Sequence, residues 1–295
     1  VANRWGRASI TKAGTGTITL SGTSTYTGNT TVSAGTLQIG GSGALGAGTY
    51  GGNISIASGA TLKYSSSAAQ TFSGIVSGAG GVTKDTSTTS TLTFSGANAL
   101  TGTTTIGAGT LALSPSGASA MGSILVGGGA SGATLAVNSG STTLGGDLVV
   151  GAASSDKASL AQIGASLTAN NIYVGNANGA IGTVNQSAGT LTTTSFNDPS
   201  LSIGAAAGGT GTYNLSGGTV TVANGIFNVG AFGTGTLNQS GGTLNAGWWA
   251  VVGRQVGSSG VYNLSGGQFN QTGPGYQLII GEQGTGTFNV SGSGT

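Results

Sequence analysis

The chain has no cysteine and no histidine, three prolines, and only seven basic and five acidic side chains among 295 residues. Without cysteine there are no disulfides and no thiol chemistry. Without histidine as well, zinc centres and nucleophilic dyads are largely excluded. The formal charge of +2 comes from scattered Lys and Arg, whereas phosphate binding needs them clustered, so no nucleic-acid partner is expected. Arg4 and Arg7 around Trp5 form the one local basic cluster and read as solvated side chains. No apolar run approaches the ~18 residues that span a bilayer, residues 248–252 being among the longest, so no membrane span is expected in this segment. The start does not resemble a signal peptide. The chain opens on Val1 and stops at Ser293-Gly294-Thr295, partway through a repeat, and so reads as a mature or excised piece of something longer.

What is present in excess is glycine, 62 residues, accompanied by serine and threonine. Glycine and proline together exceed a fifth of the chain against a usual ~12%, a composition that by default reads as disordered. Two observations oppose that default. Hydrophobic residues still make up 37% and alternate with polar ones, and only 4% of residues are charged, where disordered chains are charge-rich. An ordered chain is expected.

Residues 20–37 return without a gap as 94–111, with Gly22, Gly28 and Gly35 falling on Gly96, Gly102 and Gly109. Ser58-Gly59-Ala60-Thr61-Leu62 likewise returns as Ser131-Gly132-Ala133-Thr134-Leu135. A fixed period means one unit stacked on copies of itself. In the C-terminal half, Thr212-Tyr213-Asn214-Leu215-Ser216-Gly217-Gly218 recurs from Thr236, from Val261 and from Thr287, with a weaker copy from Thr183. Its serine recurs as Ser187, Ser216, Ser240, Ser265 and Ser291, an uneven period of roughly 25 residues. Each unit holds three segments of four or five residues alternating at period two, such as 212–216, 219–222 and 226–229, which makes them strands. Three strands in about 25 residues leave two or three residues per corner, where glycine and asparagine tolerate positive φ.

The expected fold is all-β: a single-stranded, right-handed, three-sided parallel β-helix of about 25 residues per turn, its hand taken from the crossover preference. Roughly 12 turns at ~4.8 Å give a rod roughly 57 Å long. Residues 1–127 hold the first copy of the repeated block, taken as three coils through Ile18 and Leu20, Ile54 and Ile56, and Phe72 and Ile75. Residues 128–295 continue the same β-helix in looser coils, and the small-residue stretches 40–52 and 114–123 read as loops leaving the solenoid.

Alternation points Tyr213, Leu215, Val220, Val222, Phe227 and Val229 inward, and Thr212, Asn214, Ser216 and Asn228 outward. Asn185, Asn214, Asn238, Asn263 and Asn289 form one outward column that can bond amide to amide along the axis; a structural ladder is the stronger reading, a binding strip the other. In the third strand of successive coils, Val150, Val174, Ile203, Val229, Val252 and Ile280 point inward. That leaves Val149, Tyr173, Ser202, Asn228, Val251 and Ile279 outside, with Trp249 two positions before Val251. Four of those six are large and apolar, although an exposed strand face should be polar. Either a loop covers them or the register is miscounted, or else Tyr173, Trp249, Val251 and Ile279 form a face for packing against a second rod or another hydrophobic partner.

The stretch Ile10-Thr11-Lys12-Ala13-Gly14-Thr15-Gly16-Thr17-Ile18-Thr19-Leu20-Ser21-Gly22, continuing through Tyr26-Thr27-Gly28 to Gly35-Thr36-Leu37-Gln38-Ile39, resembles the autotransporter-associated β-strand repeat. That repeat occurs in passenger domains of bacterial autotransporters and in very large surface proteins. Residues 82–113 resemble it again, with Thr88 and Ser90 where glycines are expected. The resemblance implies an exported parallel β-helix, displayed on a bacterial surface or released, and it brings no catalytic residues.

Some β-helix proteins are polysaccharide lyases or hydrolases, whose chemistry needs paired carboxylates, or a base beside acids or a metal. Of Asp85, Asp147, Asp156, Asp198 and Glu282, only Asp147 and Asp156 lie close in sequence, and a gap of nine does not stack them across a turn. Asp85 beside Lys84 and Asp156 beside Lys157 read as solvated corner charges. Gly145-Gly146-Asp147 resembles calcium-binding repeats, but one copy makes no ion site. Thr-x-Thr pairs such as Thr17 with Thr19 would suit an ice-binding face only if they recurred on nearly every turn. No aromatic cluster marks a sugar platform. The expected function is non-enzymatic and without cofactor or metal: a structural or adhesive module of an extracellular bacterial fibre, filament or surface layer. Its expected partners are copies of itself, side by side and head to tail, since open ladder edges template further pairing. A passenger adhesin that binds host or carbohydrate surfaces is the alternative.

Overall fold

The computed structural model describes residues 8–86, 89–127, 132–196 and 198–295. The Arg4, Trp5 and Arg7 cluster, Thr88 and Ser131 lie outside the described residues. The alternating segments form short strands, and each strand pairs in parallel with its counterpart one turn further along the chain, as Thr210–Leu215 does with Ile181–Gln186. No α-helix occurs among the described residues.

Every coil has three faces. In one well-defined coil the first face is Thr210–Leu215, the second Thr219–Val222 and the third Phe227–Val229. The third face is a 12-stranded parallel sheet running from Thr17–Leu20 to Leu278–Ile280, which makes about 11 turns of about 24 residues. At ~4.8 Å per strand the rod is about 53 Å long. First and second faces merge into one 21-stranded sheet. Their shared corner is so tight that two 13-residue strands, Thr234–Ala246 and Ser259–Gln271, run through it. Individual turns vary: the turn that stacks Thr30 on Ile10 is short, and the one that stacks Thr219 on Thr190 is long.

The core follows the alternation. Tyr213, Leu215, Val220, Val222, Phe227 and Val229 are all about 1% exposed or less, and each belongs to one continuous buried cluster. Complete burial of such a side chain contributes about 1.5–3 kcal/mol, and stacking one per turn multiplies it along the axis. Near the N-terminal end the inner column is aromatic: Tyr26, Tyr50, Phe72 and Phe94 touch in sequence, with ring centroids 5.3, 6.3 and 5.9 Å apart.

Glycine sets the corner between third and first faces. Gly204 has φ +71 and ends its third-face strand, and the amide it presents lies against Gly211 of the next first-face strand. A Cβ on Gly211 would sit 2.3 Å from the Gly204 nitrogen. Gly182, Gly211, Gly235, Gly260 and Gly286 are aligned by register, so the close approach repeats on these five coils.

Four expectations are corrected. Ile18 with Leu20, Ile54 with Ile56, and Phe72 fall on three different faces rather than marking three coils, and Ile75 is 41% exposed because Val76 takes the core position. Residues 40–52 do not leave the solenoid: a short turn, Gly46–Gly48, lets Leu45 and Tyr50 enter the core completely. Residues 114–123 likewise contain the second-face strand Ala118–Met121, paired with Ser141–Leu144. Inward Ile280, on the outermost third-face strand, is 41% exposed. Pairing passes without interruption from Gly109–Leu113 to Ala133–Val137, across residues 127 and 128.

Candidate functional site

Asn185, Asn214, Asn238, Asn263 and Asn289 stand on the outer side of the first face in register. Each amide donates to the one before it: Asn214 Nδ2 to Asn185 Oδ1 at 2.8 Å, Asn238 to Asn214 at 2.9 Å, Asn263 to Asn238 at 2.9 Å and Asn289 to Asn263 at 2.8 Å. The chain of amides consumes one donor and one acceptor per residue, so it ties neighbouring turns together along the axis.

The outer side of the third face is different. In the column Val149, Tyr173, Ser202, Asn228, Val251 and Ile279, the residues Val149 and Val251 are 7% and 2% exposed, yet neither belongs to the interior cluster. Ser202 and Asn228 are fully buried, and neither the Ser202 hydroxyl nor either amide atom of Asn228 has a hydrogen-bond partner. Tyr173 and Ile279 are half-buried and Trp249 is 39% exposed. The expected outward apolar face is therefore corrected at Val251: the chain itself covers it, and it is not free to meet a second rod.

The cover comes from two corners. The long turn between Thr190 and Thr219 carries extra residues before Leu201–Ile203, which project Asp198 outward. Two turns further on, Gly253 with φ +74 ends Ala250–Val252 and turns Arg254 out over the same face. Arg254 grips Asp198 with both terminal nitrogens, and its Nε lies 3.5 Å from Glu282 Oε2. The Asp198 hydrogen bond raises the Arg254 pKa further above its ordinary range, against the opposing effect of burial. Because Phe227–Val229 lies between the two anchored strands, this bridge spans the strand that carries Asn228.

Beside the bridge is a groove of about 390 Å³, with Ile226, Val251 and Ile279 as floor, Trp249 as wall and Asp198, Arg254 and Glu282 as rim. Aromatic rings from three turns line up next to it. Phe196, 70% exposed, meets Trp248 edge-on at 6.4 Å; Trp248 stacks on Tyr276 at 5.7 Å; and Tyr276 meets Trp249 edge-on at 5.0 Å. The expectation that no aromatic cluster exists is thus corrected, because winding brings together rings as far apart in the chain as Phe196 and Tyr276.

Several polar groups are buried that the sequence did not mark as interior. Lys12 and Lys84 are 1% and 0% exposed. Lys12 Nζ donates to the carbonyls of Ala13, Gly14 and Ala34 at 3.1, 2.7 and 3.0 Å, and Lys84 Nζ to those of Thr86 and, at 3.1 Å, Ala108. Each ammonium clamps its own corner to the corner one turn on. The solvated reading of Lys84 is corrected, and burial pushes its pKa down, with Asp85 opposing. Asp85 pairs with Lys63 at 2.8 Å, and Asp156 is 1% exposed and accepts from the Ala153 amide at 2.7 Å, so neither is a free corner charge. Gln162, Gln186 and Gln239 are also buried, at inward positions where neighbouring turns carry Leu215 and Leu264. The signal was visible: in Asn185-Gln186-Ser187 and Asn238-Gln239-Ser240 a glutamine interrupts the inward apolar series.

Residues 10–39 and 89–113 match the family model of the passenger-associated-transport-repeat. The chain carries two passenger-associated-transport-repeats. No curated protein and no solved structure matches the chain. The first repeat runs through the second face at Ile10–Lys12 and the third at Thr17–Leu20, then again through Thr30–Val32 and Thr36–Gly41. In the second repeat the equivalents of Thr30–Val32 and Thr36–Gly41 are Thr104–Ile106 on the third face and Gly109–Leu113 on the first. The two passenger-associated-transport-repeats are therefore rotated by one face: the path from Gly35 to Gly109 makes three turns and one third, not three whole coils. Lys12 lies in the first repeat and Lys84 just before the second, each clamping the alanine that precedes the repeat glycine, Gly35 or Gly109.

Proposed function

We propose that this segment is the structural and adhesive rod of a bacterial passenger displayed outside the cell, acting through its long faces and not by catalysis. The passenger-associated-transport-repeats and the parallel β-solenoid fit an autotransporter passenger domain. No helix among the described residues is long and apolar enough to cross a membrane. The observation that carries the reading is the unbroken pairing of every third-face strand with the next through twelve strands, reinforced outside by the Asn column. Such a stack is stiff along its axis and offers repeated faces rather than one deep pocket. The one place where two carboxylates converge, Asp198 and Glu282, has the Arg254 guanidinium between them, where a scissile bond would have to sit. End-to-end growth would pair the strand edges of one rod with those of another.

Sedimentation over a wide concentration range, with small-angle scattering at each point, tests this. Growth in length at constant cross-section is expected. A particle that stays strictly monomeric at high concentration would remove end-to-end assembly, and a globular scattering profile would remove the rod itself.

A further inference from the structure

We propose that the groove beside Trp249 is a binding site for an unbranched, uncharged polysaccharide. The inference rests on the rod being displayed where polysaccharide is met, but its evidence is local. At about 390 Å³ the groove falls in the size range of ligand clefts, roughly 300–1,000 Å³. A stable contact with a second rod would instead need about 800 Å² of complementary surface on each partner. Here the apolar floor is narrow, Val251 is already covered, and a charged rim encloses it. Size and shape favour a ligand over another copy.

The chemistry selects the ligand. A sugar ring has an apolar C–H face and a hydroxyl edge. Trp249 and Phe196, 39% and 70% exposed, offer ring surface for the first. The Asp198 and Glu282 carboxylates accept hydrogen bonds, and the Arg254 guanidinium donates them in a planar fork, for the second. The aromatic row follows the rod axis through three turns, so an extended chain of sugars can lie along it, whereas one small molecule would leave most of it bare.

Charge decides the subclass. Two carboxylates face one guanidinium, so the rim carries an excess negative charge that disfavours uronic-acid polymers.

Affinity electrophoresis of the intact chain through gels containing hydroxyethyl cellulose, pullulan, konjac glucomannan or alginate tests the proposal. Retardation is expected in at least one neutral polymer and not in alginate. Trp249→Ala should weaken it at least tenfold, and Phe196→Ala, at a largely exposed position, at least threefold. Thr221→Ala on the second face should leave it unchanged. No retardation in any neutral polymer, retardation in alginate alone, or retardation indifferent to Trp249→Ala and Phe196→Ala overturns the proposal. So does concentration-dependent pairing of the protein that Trp249→Ala abolishes without any polymer bound, which would make the groove a contact between copies. None of these outcomes bears on the rod, whose own test is sedimentation and scattering.

Discussion

Gln186 and Tyr213 provide a quantitative test of the interior. Tyr213 is 1% exposed, and its hydroxyl donates to Gln186 Oε1 on the turn before. The Gln186 amide in turn donates to the Gly189 carbonyl at 3.3 Å and the Thr219 carbonyl at 3.2 Å, holding a corner to the following turn. Gln186→Leu is sterically benign, since Leu215 and Leu264 occupy the same column. It leaves the buried phenol without a partner, at about 1–3 kcal/mol, and removes two donors at about 0.5–1.5 kcal/mol each, partly recovered by water at a half-buried corner and by the leucine itself. The net loss should be about 2–4 kcal/mol. Tyr213→Phe alone should cost about 1 kcal/mol. In the double variant no orphan phenol remains, so its cost should fall short of the sum of the singles by about 1–2 kcal/mol. Urea unfolding of the four proteins, followed by far-ultraviolet circular dichroism, measures the cycle. Costs that add to within about 0.5 kcal/mol would show that the two side chains do not interact.

Three further expectations follow from the same structure. Gly211→Ala places a methyl 2.3 Å from the Gly204 nitrogen and should destabilise by about 3 kcal/mol or more; a melting temperature within a degree of the parent contradicts the close corner. Burial raises the pKa values of Tyr26, Tyr50, Tyr64, Tyr213 and Tyr262, so the folded chain keeps phenol protons that the unfolded chain releases near pH 10, and stability should fall as pH rises above about 10; a smooth phenolate titration centred near 10 with unchanged circular dichroism would falsify this. Burial opposes but does not prevent the lowering of the Asp85 pKa by its Lys63 and Ser65 partners, so its contribution is present above about pH 3.9 and lost as pH falls through the lowered value; Asp85→Asn should reduce stability at pH 7 by less than about 1 kcal/mol and flatten the acid side of the melting profile, and an unchanged acid profile speaks against the pair.

The parts of the fold that were legible in the sequence are those where one signal repeats on every turn. The Asn column and the inward Tyr213, Val220 and Phe227 are of this kind, because a period of two fixes the face and a period near 25 fixes the neighbour. Face assignment in the N-terminal block was not legible. Its strands are short on every face and the corners use the same small residues, so a motif can move by one face without conflict. The groove was hidden for another reason. Phe196, Asp198, Trp249, Arg254 and Tyr276 meet only because two turns, Thr190 to Thr219 and Ala250 to Leu278, are longer than their neighbours, a displacement that periodicity averages away. Lys84 was misjudged and Lys12 passed over because charge normally implies solvent, whereas here the corner supplies carbonyls to each ammonium.

The central claim is that successive segments stack in parallel, one turn apart, along a single axis. Absence of cysteine in the sequence makes it directly measurable with paired spin labels. Thr143, Thr168, Thr192, Thr221, Asn245 and Asn270 form one outward column of the second face. Pulsed electron–electron distances between labels on Thr143→Cys and each of Thr221→Cys, Asn245→Cys and Asn270→Cys should correspond to backbone separations of about 14, 19 and 24 Å, rising by ~4.8 Å per turn. Distances that do not rise in equal steps of that size, or that alternate as in antiparallel hairpins, would contradict the stacked parallel rod.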